Sequence, residues 1–225
     1  MSAAAEPLPD RVWRVGYHAD PLGFVAFDRT LYSHRFDDKH ERFRSLYCAR
    51  DPRTALREVL ADLRRNTAAV ARFVAAHGPE AADELPNEPV SAAWRHKHVL
   101  ASAVIQADGA LLDLRDPARL NELERVHATL LADHGLAHLD LHEITTRLRD
   151  VTRTISDAAY DDGFAVVRFP SSRDGQDCYA LFEHRAELVA DTAAMPLTDP
   201  APQALVDVAS EWALTLEATA PTATN

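Results

Sequence analysis

Four polar residues of this chain have side chains that suit the cleavage of a bond between a sugar and a planar base. Arg35, Tyr47 and Glu58 are close in sequence, and Ser171 lies far downstream. A carboxylate placed below a ribose carbon stabilises the positive charge that this carbon gains as the base leaves. A forked guanidinium suits phosphate groups, an aromatic ring can stack on the base, and a hydroxyl can orient a polar group. This chemistry needs no metal.

Each of the four residues also has an ordinary structural interpretation. Glu58 falls on the polar side of a predicted helix, where carboxylates are usually solvated, and Arg35 lies in a charged loop that favours surface ion pairs. Tyr47 would be a half-buried aromatic residue, and Ser171 a turn residue or helix cap. The catalytic interpretation therefore requires that all four side chains converge on one cleft.

The composition limits the classes of function. The chain has 225 residues and a formal net charge of −11, with 24 basic and 35 acidic residues. Such a surface repels nucleic acid, so direct binding of DNA or RNA is not expected, whereas a small anion needs only a local basic pocket. Neither a signal peptide nor a membrane-spanning run is visible, and two cysteines make no disulfide framework. These features predict a cytoplasmic protein with two reduced thiols.

The pattern of hydrophobic and turn residues predicts short strands and helices. Residues 45–49 form a predicted strand, and Asp51 with Pro52 then starts a helix whose buried stripe includes Leu56, Val59 and Leu60. Other predicted strands are residues 11–15, 98–106, 110–114, 164–169, 179–182 and 187–189, the second and third of these joined as a hairpin by Asp108-Gly109. Other predicted helices are residues 67–77, 117–135, 140–159 and 204–216, the third starting with a capping box at Asp140 and Glu143.

These elements do not alternate regularly, which favours an α+β fold: one domain with a mixed or antiparallel sheet and flanking helices. Only 7 glycines and no G-x-G-x-x-G motif argue against a Rossmann site. Residues 11–190 are the predicted catalytic domain and 191–214 an extension with a helix. Residues 1–10 and 215–225 are predicted to be disordered tails.

The histidines and tryptophans do not predict a further site. His96 and His98 alternate on a strand and His138 and His142 are four residues apart, but neither pair has a third ligand, so no metal site is predicted. The three tryptophans, Trp13, Trp94 and Trp212, are interpreted as packing residues.

The order of these segments resembles the RES domain, a family named for its Arg, Glu and Ser. The strand-then-helix block is Leu46-Tyr47-Cys48-Ala49 to Ala55-Leu56-Arg57-Glu58-Val59, and the serine block is Gly163-Phe164 to Phe169-Pro170-Ser171-Ser172-Arg173. Trp13-Arg14-Val15 is similar to the opening strand of the family, and Leu111-Leu112-Asp113-Leu114-Arg115-Asp116 to its central hairpin. Ser33-His34-Arg35-Phe36-Asp37 stands where the family usually has a loop close to Gly-Gly-Arg-Trp/Phe-Asn.

The resemblance implies a fold similar to that of ADP-ribosyltransferase toxins and an enzyme that cleaves the nicotinamide–ribose bond of NAD+. The cleavage would be phosphorolysis, giving nicotinamide and ADP-ribose 1″-phosphate, or hydrolysis. NAD+ would be the substrate, with inorganic phosphate as a potential co-substrate and no cofactor. The implied catalytic positions are Arg35, Tyr47, Glu58 and Ser171, and weaker substrate-binding candidates are Arg14 and Arg173.

The resemblance also implies an antitoxin partner of the Xre type, and it leaves a homodimer open. Two alternatives remain at this point. One is an ADP-ribosyltransferase that modifies a protein. The other is a catalytically degenerate binding module, which Asp37 and the missing glycines of the loop would favour because glycine permits close approach of a ligand.

Overall fold

An eight-stranded mixed sheet forms the centre of the fold. The computed structural model describes residues 7–27, 34–146 and 148–219. The strands in these ranges are β1 (Val12–Tyr17), β2 (Ser45–Ala49), β3 (His98–Ala107), β4 (Ala110–Asp113), β5 (Phe164–Pro170), β6 (Asp177–Phe182), β7 (Ala186–Ala190) and β8 (Met195–Pro196). Their order is β4-β5-β6-β2-β1-β3-β7, and β8 also pairs with β3. Among these named strands, only β4 and β5 pair in parallel, so the predicted α+β class with a mixed sheet is confirmed.

Most of the helices cover one face of this sheet. They are α1 (Pro52–Leu60), α2 (Thr67–His77), α3 (Ala92–Lys97), α4 (Pro117–Val126), α5 (Ala128–Asp133), α6 (Leu141–Thr145), α7 (Arg149–Asp161) and α8 (Gln203–Glu211). Alternate strand residues such as Val15 and Val167 belong to one core with the buried sides of helices such as α1 and α7. Residues that point the other way, such as Leu46, form a second core with Leu22 and Phe24. This division follows from the two-residue period of a strand.

The β2–α1 block folds as its sequence predicts. The side chain of Asp51 accepts hydrogen bonds from the N–H groups of Arg53 and Thr54, and Pro52 occupies the first turn. Leu56 and Leu60 are buried in the core. The cap and the apolar stripe therefore fix the direction of α1.

The predicted hairpin between residues 98–106 and 110–114 is wrong. Strand β3 pairs with β1 over residues 98–103 and with β7 over residues 103–107, so β7 takes the place beside the end of β3 that the hairpin assigned to β4. Strand β4 instead pairs with β5 in parallel. Gly109 permits this course: its φ is +150°, and a Cβ there would lie 2.9 Å from the carbonyl oxygen of Gly163.

The predicted helix 140–159 is interrupted. The capping box of Asp140 and Glu143 is present at the start of α6, but α6 ends at Thr145 and α7 begins at Arg149. The hydrophobic spacing continues across the interruption, and Ile144 and Val151 are both fully buried. The sequence pattern therefore does not reveal that the helix is interrupted. The predicted helix 117–135 is likewise divided into α4 and α5, and the last helix ends at Glu211 rather than 216.

Part of the predicted C-terminal tail is held in the fold. Leu216 forms a β-bridge with Val90, and the hydroxyl of Thr219 donates to Asp199 at 2.9 Å. The buried side chain of Arg95 also donates to Asp199, at 2.5 Å. These contacts correct the prediction for residues 215–219, while residues 1–6 and 220–225 lie outside the described ranges.

Side chains of helix α7 form hydrogen bonds with the loop of residues 34–44, which we call the Arg35 loop. The carbonyl of Phe36 accepts a hydrogen bond from Ser156 Oγ at 2.7 Å, and the guanidinium of Arg153 donates to the carbonyls of Asp37 and Asp38 at 3.1 and 2.9 Å. The carboxyl of Asp157 faces that of Asp38. Burial and this neighbouring carboxyl raise the pKa of Asp157 to about 6.

Replacing Asp157 by asparagine should reduce the pH dependence of stability. Because the pKa of Asp157 is raised on folding, its stabilising contribution is complete below pH 4 and is lost as the pH rises through about 6. Asp157→Asn cannot ionise, so it should gain on the order of 1 kcal/mol relative to the wild type between pH 4 and pH 7. Urea unfolding at several pH values measures this difference. The exposed Asp161→Asn is the matched control, and parallel curves for Asp157→Asn and wild type would contradict the expectation.

Candidate functional site

A cleft of about 420 Å³ lies between β1, β2, α1, the Arg35 loop and the start of α7. Four of the six predicted site residues line it: Arg14, Arg35, Tyr47 and Glu58. Its volume is within the range of small-molecule sites. The cleft therefore brings together residues that are widely separated in sequence.

Glu58 stands on the last turn of α1 with its side chain exposed to the cleft. Its Oε1 accepts a hydrogen bond from the hydroxyl of Ser171 at 2.6 Å, so the serine joins the cleft through the carboxylate. Ser171 is buried at the end of β5, and its Oγ accepts from the N–H of Arg173 at 3.0 Å. The geometry thus couples the predicted carboxylate and the predicted serine directly.

Arg57, the residue before Glu58 on α1, helps to hold Glu58 and Ser171 together. The guanidinium of Arg57 donates to the carboxylate of Asp174 at 2.8 Å, and the hydroxyl of Thr54 donates to the same oxygen at 2.7 Å. Asp174 belongs to the loop that follows Ser171. Two charged and polar contacts therefore hold this loop against α1 and keep Ser171 within reach of Glu58.

The guanidinium of Arg35 donates hydrogen bonds mainly to backbone carbonyls. Its Nη1 donates to the carbonyls of Ile144 and, at 2.6 Å, Thr146, and its Nη2 donates to Thr145 at 3.0 Å. Burial and the charge of Arg149 lower the pKa of Arg35 to about 10, and Glu58 partly offsets this effect. Arg35 therefore places positive charge in the wall of the cleft, although its two Nη atoms already donate three hydrogen bonds to the backbone.

Tyr47 and Asp37 form one hydrogen-bonded unit. The Tyr47 hydroxyl donates to Oδ1 of Asp37 at 2.8 Å and accepts from the N–H of Phe36 at 2.9 Å. Oδ2 of Asp37 accepts from the N–H of His34 at 2.8 Å. Burial and the Asp37 charge raise the pKa of Tyr47 well above its usual value. Asp37 is thus a structural acceptor inside the loop, and Ser33 lies outside the described residues.

The two weaker candidates occupy different positions. Arg14 lines the cleft, but it donates to the carbonyls of Pro21 and Tyr47 at 3.1 and 2.7 Å, and burial lowers its pKa. Arg173 is exposed and does not line the cleft, although its charge still contributes to the lowered pKa of Arg35. Arg14 therefore links β1 to β2, whereas Arg173 lies outside the cleft.

Two parts of the cleft were missed from the sequence. One is an aromatic wall of Trp13, Tyr17, Trp94 and His98, in which Trp94 stacks on His98 with ring centroids 4.6 Å apart. Trp13 and Trp94 were interpreted as packing residues only. The other is Arg149, the first residue of α7, whose exposure to the cleft depends on the unpredicted interruption between α6 and α7.

The cleft is locally basic in a strongly acidic protein. Among the described residues that line it, the arginines are Arg14, Arg35 and Arg149, and the acids are Asp37 and Glu58. This is the local basic pocket that an anionic ligand requires in a chain of net charge −11.

Three further expectations concern thiols, metals and membranes. Cys48 and Cys178 are both free and buried, and burial raises the pKa of Cys48 to about 12, so this thiol stays protonated. Across residues 7–27, 34–146 and 148–219, no group of three or more His, Cys, Asp or Glu residues is arranged to hold a metal ion. Within the same ranges, no helix has the length and apolar character needed to cross a membrane.

Comparisons with known proteins give one family. The sequence profile described as "RES domain" matches residues 11–216. A solved structure titled "Crystal structure of the M.tuberculosis MbcT-MbcA toxin-antitoxin complex" is similar at 16% sequence identity, with a TM-score of 0.43, over 81% of this chain and 84% of that chain. No curated protein matches the chain.

Removing the hydroxyl of Tyr47 should destabilise the protein. Tyr47→Phe leaves Oδ1 of the buried Asp37 carboxylate without its donor and the N–H of Phe36 without its acceptor, at a cost of about 1–3 kcal/mol. Chemical unfolding at pH 7 measures the loss. The double variant Tyr47→Phe with Asp37→Asn should recover part of it, because the charge is removed. A single variant as stable as the wild type would contradict this account of the Arg35 loop.

Proposed function

Because the chain belongs to the RES domain family, we propose that it is an enzyme that degrades NAD+ by cleaving the nicotinamide–ribose bond. The observation that carries the proposal is the hydrogen bond between Ser171 and Glu58, which holds the carboxylate at the wall of a locally basic cleft. Separate parts of the chain supply these two residues. Their meeting in the cleft favours the catalytic interpretation over four unrelated surface roles.

Glu58 is the residue we assign to the ribose. Nicotinamide leaves as a neutral molecule, so the reaction needs little acid catalysis, but the ribose carbon becomes cation-like and attracts a carboxylate. Ser171 donates to Oε1 of Glu58, which restrains the carboxylate, and Oε2 is the oxygen that we assign to the sugar. The serine is thus a positioning residue in this mechanism, and the carboxylate stabilises the transition state.

The remaining walls suit the other parts of a dinucleotide. The aromatic wall offers flat rings for nicotinamide or adenine. The arginines of the cleft supply positive charge for the pyrophosphate, with Arg35 acting through its charge more than through free N–H groups. Tyr47 contributes its ring to the cleft, since its hydroxyl is bonded to Asp37.

The acceptor of the ADP-ribosyl group is phosphate or water. Phosphorolysis would yield ADP-ribose 1″-phosphate, and hydrolysis would yield ADP-ribose; NAD+ is a substrate in both and no cofactor is needed. In the cell, this activity would arrest growth, and we propose a cytoplasmic toxin controlled by an antitoxin of the Xre type. The acidic surface of the chain suits a basic partner.

One observation favours a different class of function. Both Nη atoms of Arg35 are committed to carbonyls of residues 144–146, which would suit a degenerate binding module that has kept the fold. A transferase that moves ADP-ribose onto a protein uses the same carboxylate chemistry. Product analysis separates all three.

Removing the charge of Glu58 should abolish turnover of NAD+. Glu58→Gln keeps the size of the side chain but not the negative charge that stabilises the ribosyl cation, so kcat/KM should fall about 100-fold or more. Mass spectrometry of the products formed over time, with and without inorganic phosphate, measures the rate of NAD+ turnover. Asp62→Asn, which removes an exposed carboxylate just beyond α1, should leave turnover unchanged.

The products identify the acceptor and test the rivals. ADP-ribose 1″-phosphate formed only with phosphate indicates phosphorolysis, and ADP-ribose in both conditions indicates hydrolysis. Label transferred to protein would support the transferase, and intact NAD+ after long incubation with wild-type protein would support the binding module. Equal turnover by Glu58→Gln and wild type would refute the role of Glu58.

Removing the Ser171 hydroxyl should slow the reaction without weakening binding. Ser171→Ala frees the Glu58 carboxylate, and the lost charge-assisted hydrogen bond should lower kcat about tenfold with little change in KM. Ser172→Ala, at the exposed neighbouring position, is the matched control. A rise in KM with unchanged kcat would show instead that Ser171 acts in substrate binding.

A further inference from the structure

Arg149 presents a positively charged group to the cleft with part of its hydrogen-bonding capacity unused. It is the first residue of α7 and lines the cleft close to Arg35. Its Nη1 is fully buried and has no hydrogen-bond partner among the described residues. A buried charged N–H without an acceptor costs free energy, and native proteins rarely keep one without a reason.

The neighbours of Arg149 increase this cost. The guanidinium of Arg35 is near enough for the two positive charges to repel, and its Nη atoms donate to three carbonyls that hold it in place. Arg35 therefore cannot move away from Arg149 without breaking these bonds. Two fixed cations side by side favour an anion that neutralises them.

Among the described residues that line the cleft, three are arginines, and Arg149 is the one with an Nη atom that lacks a hydrogen-bond acceptor. Arg14 donates to the carbonyls of Pro21 and Tyr47, and Arg35 donates to those of residues 144–146. Only Arg149 combines a place in the cleft with a buried Nη1 that lacks an acceptor among the described residues. Phosphate oxygens are the acceptors that a guanidinium fork fits best.

We propose that Arg149 is the phosphate-binding residue of the cleft, and that Arg35 supports it by charge and by fixing the backbone before α7. The ligand is a phosphate group, either in the pyrophosphate of a dinucleotide or as free inorganic phosphate that acts as the acceptor. The proposal rests on the proposed function for the choice between these two sources. The binding of a phosphate group by Arg149 follows from the cleft itself.

The test measures binding and turnover separately. Isothermal titration with ADP-ribose and with inorganic phosphate compares wild type, Arg149→Ala, Arg149→Lys and the control Arg72→Ala. Arg72 is exposed on α2, so its removal changes the net charge equally but away from the cleft. We expect Arg149→Ala to weaken binding of at least one probe about tenfold or more, Arg149→Lys to weaken it less, and Arg72→Ala to bind within about twofold of wild type.

Stability supplies an independent readout. Because Arg149→Ala removes a buried donor without a partner and a charge that repels Arg35, its thermal midpoint should equal or exceed that of the wild type. A purely structural role would lower the midpoint. Loss of binding in a variant that is at least as stable therefore assigns Arg149 to the ligand.

Kinetics distinguish the two sources of phosphate. If Arg149 binds the pyrophosphate, Arg149→Ala raises the KM for NAD+, while turnover of nicotinamide riboside, which carries no phosphate, is unchanged. If it binds the acceptor, the KM for inorganic phosphate rises instead. A wild type that binds ADP-ribose through Arg149 but leaves NAD+ intact would refute the proposed function and keep this inference. Equal affinities of Arg149→Ala and wild type, or no binding of either probe by the wild type, would overturn the inference.

Discussion

Three backbone carbonyls before α7 accept hydrogen bonds from a single side chain, the guanidinium of Arg35. The last carbonyls of a helix have no partner within it, and a cation near them is favourable. Here this need is met by a residue more than a hundred positions earlier in the chain. The contact fixes the end of α6, the path of the Arg35 loop and the place where α7 begins. Arg149, the first residue of α7, then faces the same cleft as Arg35 because these elements are held together.

The acidic residues of the Arg35 loop strengthen it. Asp37 and Asp38 are both buried, and burying a carboxylate is costly unless donors surround it. Asp37 receives the Tyr47 hydroxyl and the N–H of His34, and Asp38 receives the guanidinium and backbone N–H of Arg42. The loop therefore draws its rigidity from these hydrogen bonds, although it lacks the glycines of the usual family sequence. Because the Tyr47 hydroxyl donates to Asp37, a ligand in the cleft would contact the ring of Tyr47 and not its hydroxyl.

Local signals in the sequence were sufficient for some elements and insufficient for others. The strand at 45–49, the start of α1, helix α2 and the capping box of α6 were all predicted, because each depends on residues within a few positions. The pairing of β4 and the interruption after α6 depend on distant strands and on Arg35, so periodicity could not reveal them. Val59, predicted in the buried stripe, is 45% exposed because that side of α1 borders the cleft. Arg149 was missed because its exposure depends on the interruption after α6, which the local sequence does not reveal.

The electrostatics of the cleft also limit what can bind there. Glu58 is exposed in the free protein, where water weakens its interaction with any positive charge. In the reaction that we propose, its effect on a ribosyl cation would therefore grow only when the ligand itself displaces that water. A ligand that covers the aromatic wall with a flat ring and also brings negative charge to Arg35 and Arg149 would displace more of this water than a ligand that makes either contact alone. A dinucleotide meets both requirements in one molecule, whereas a single base or a free phosphate ion meets only one.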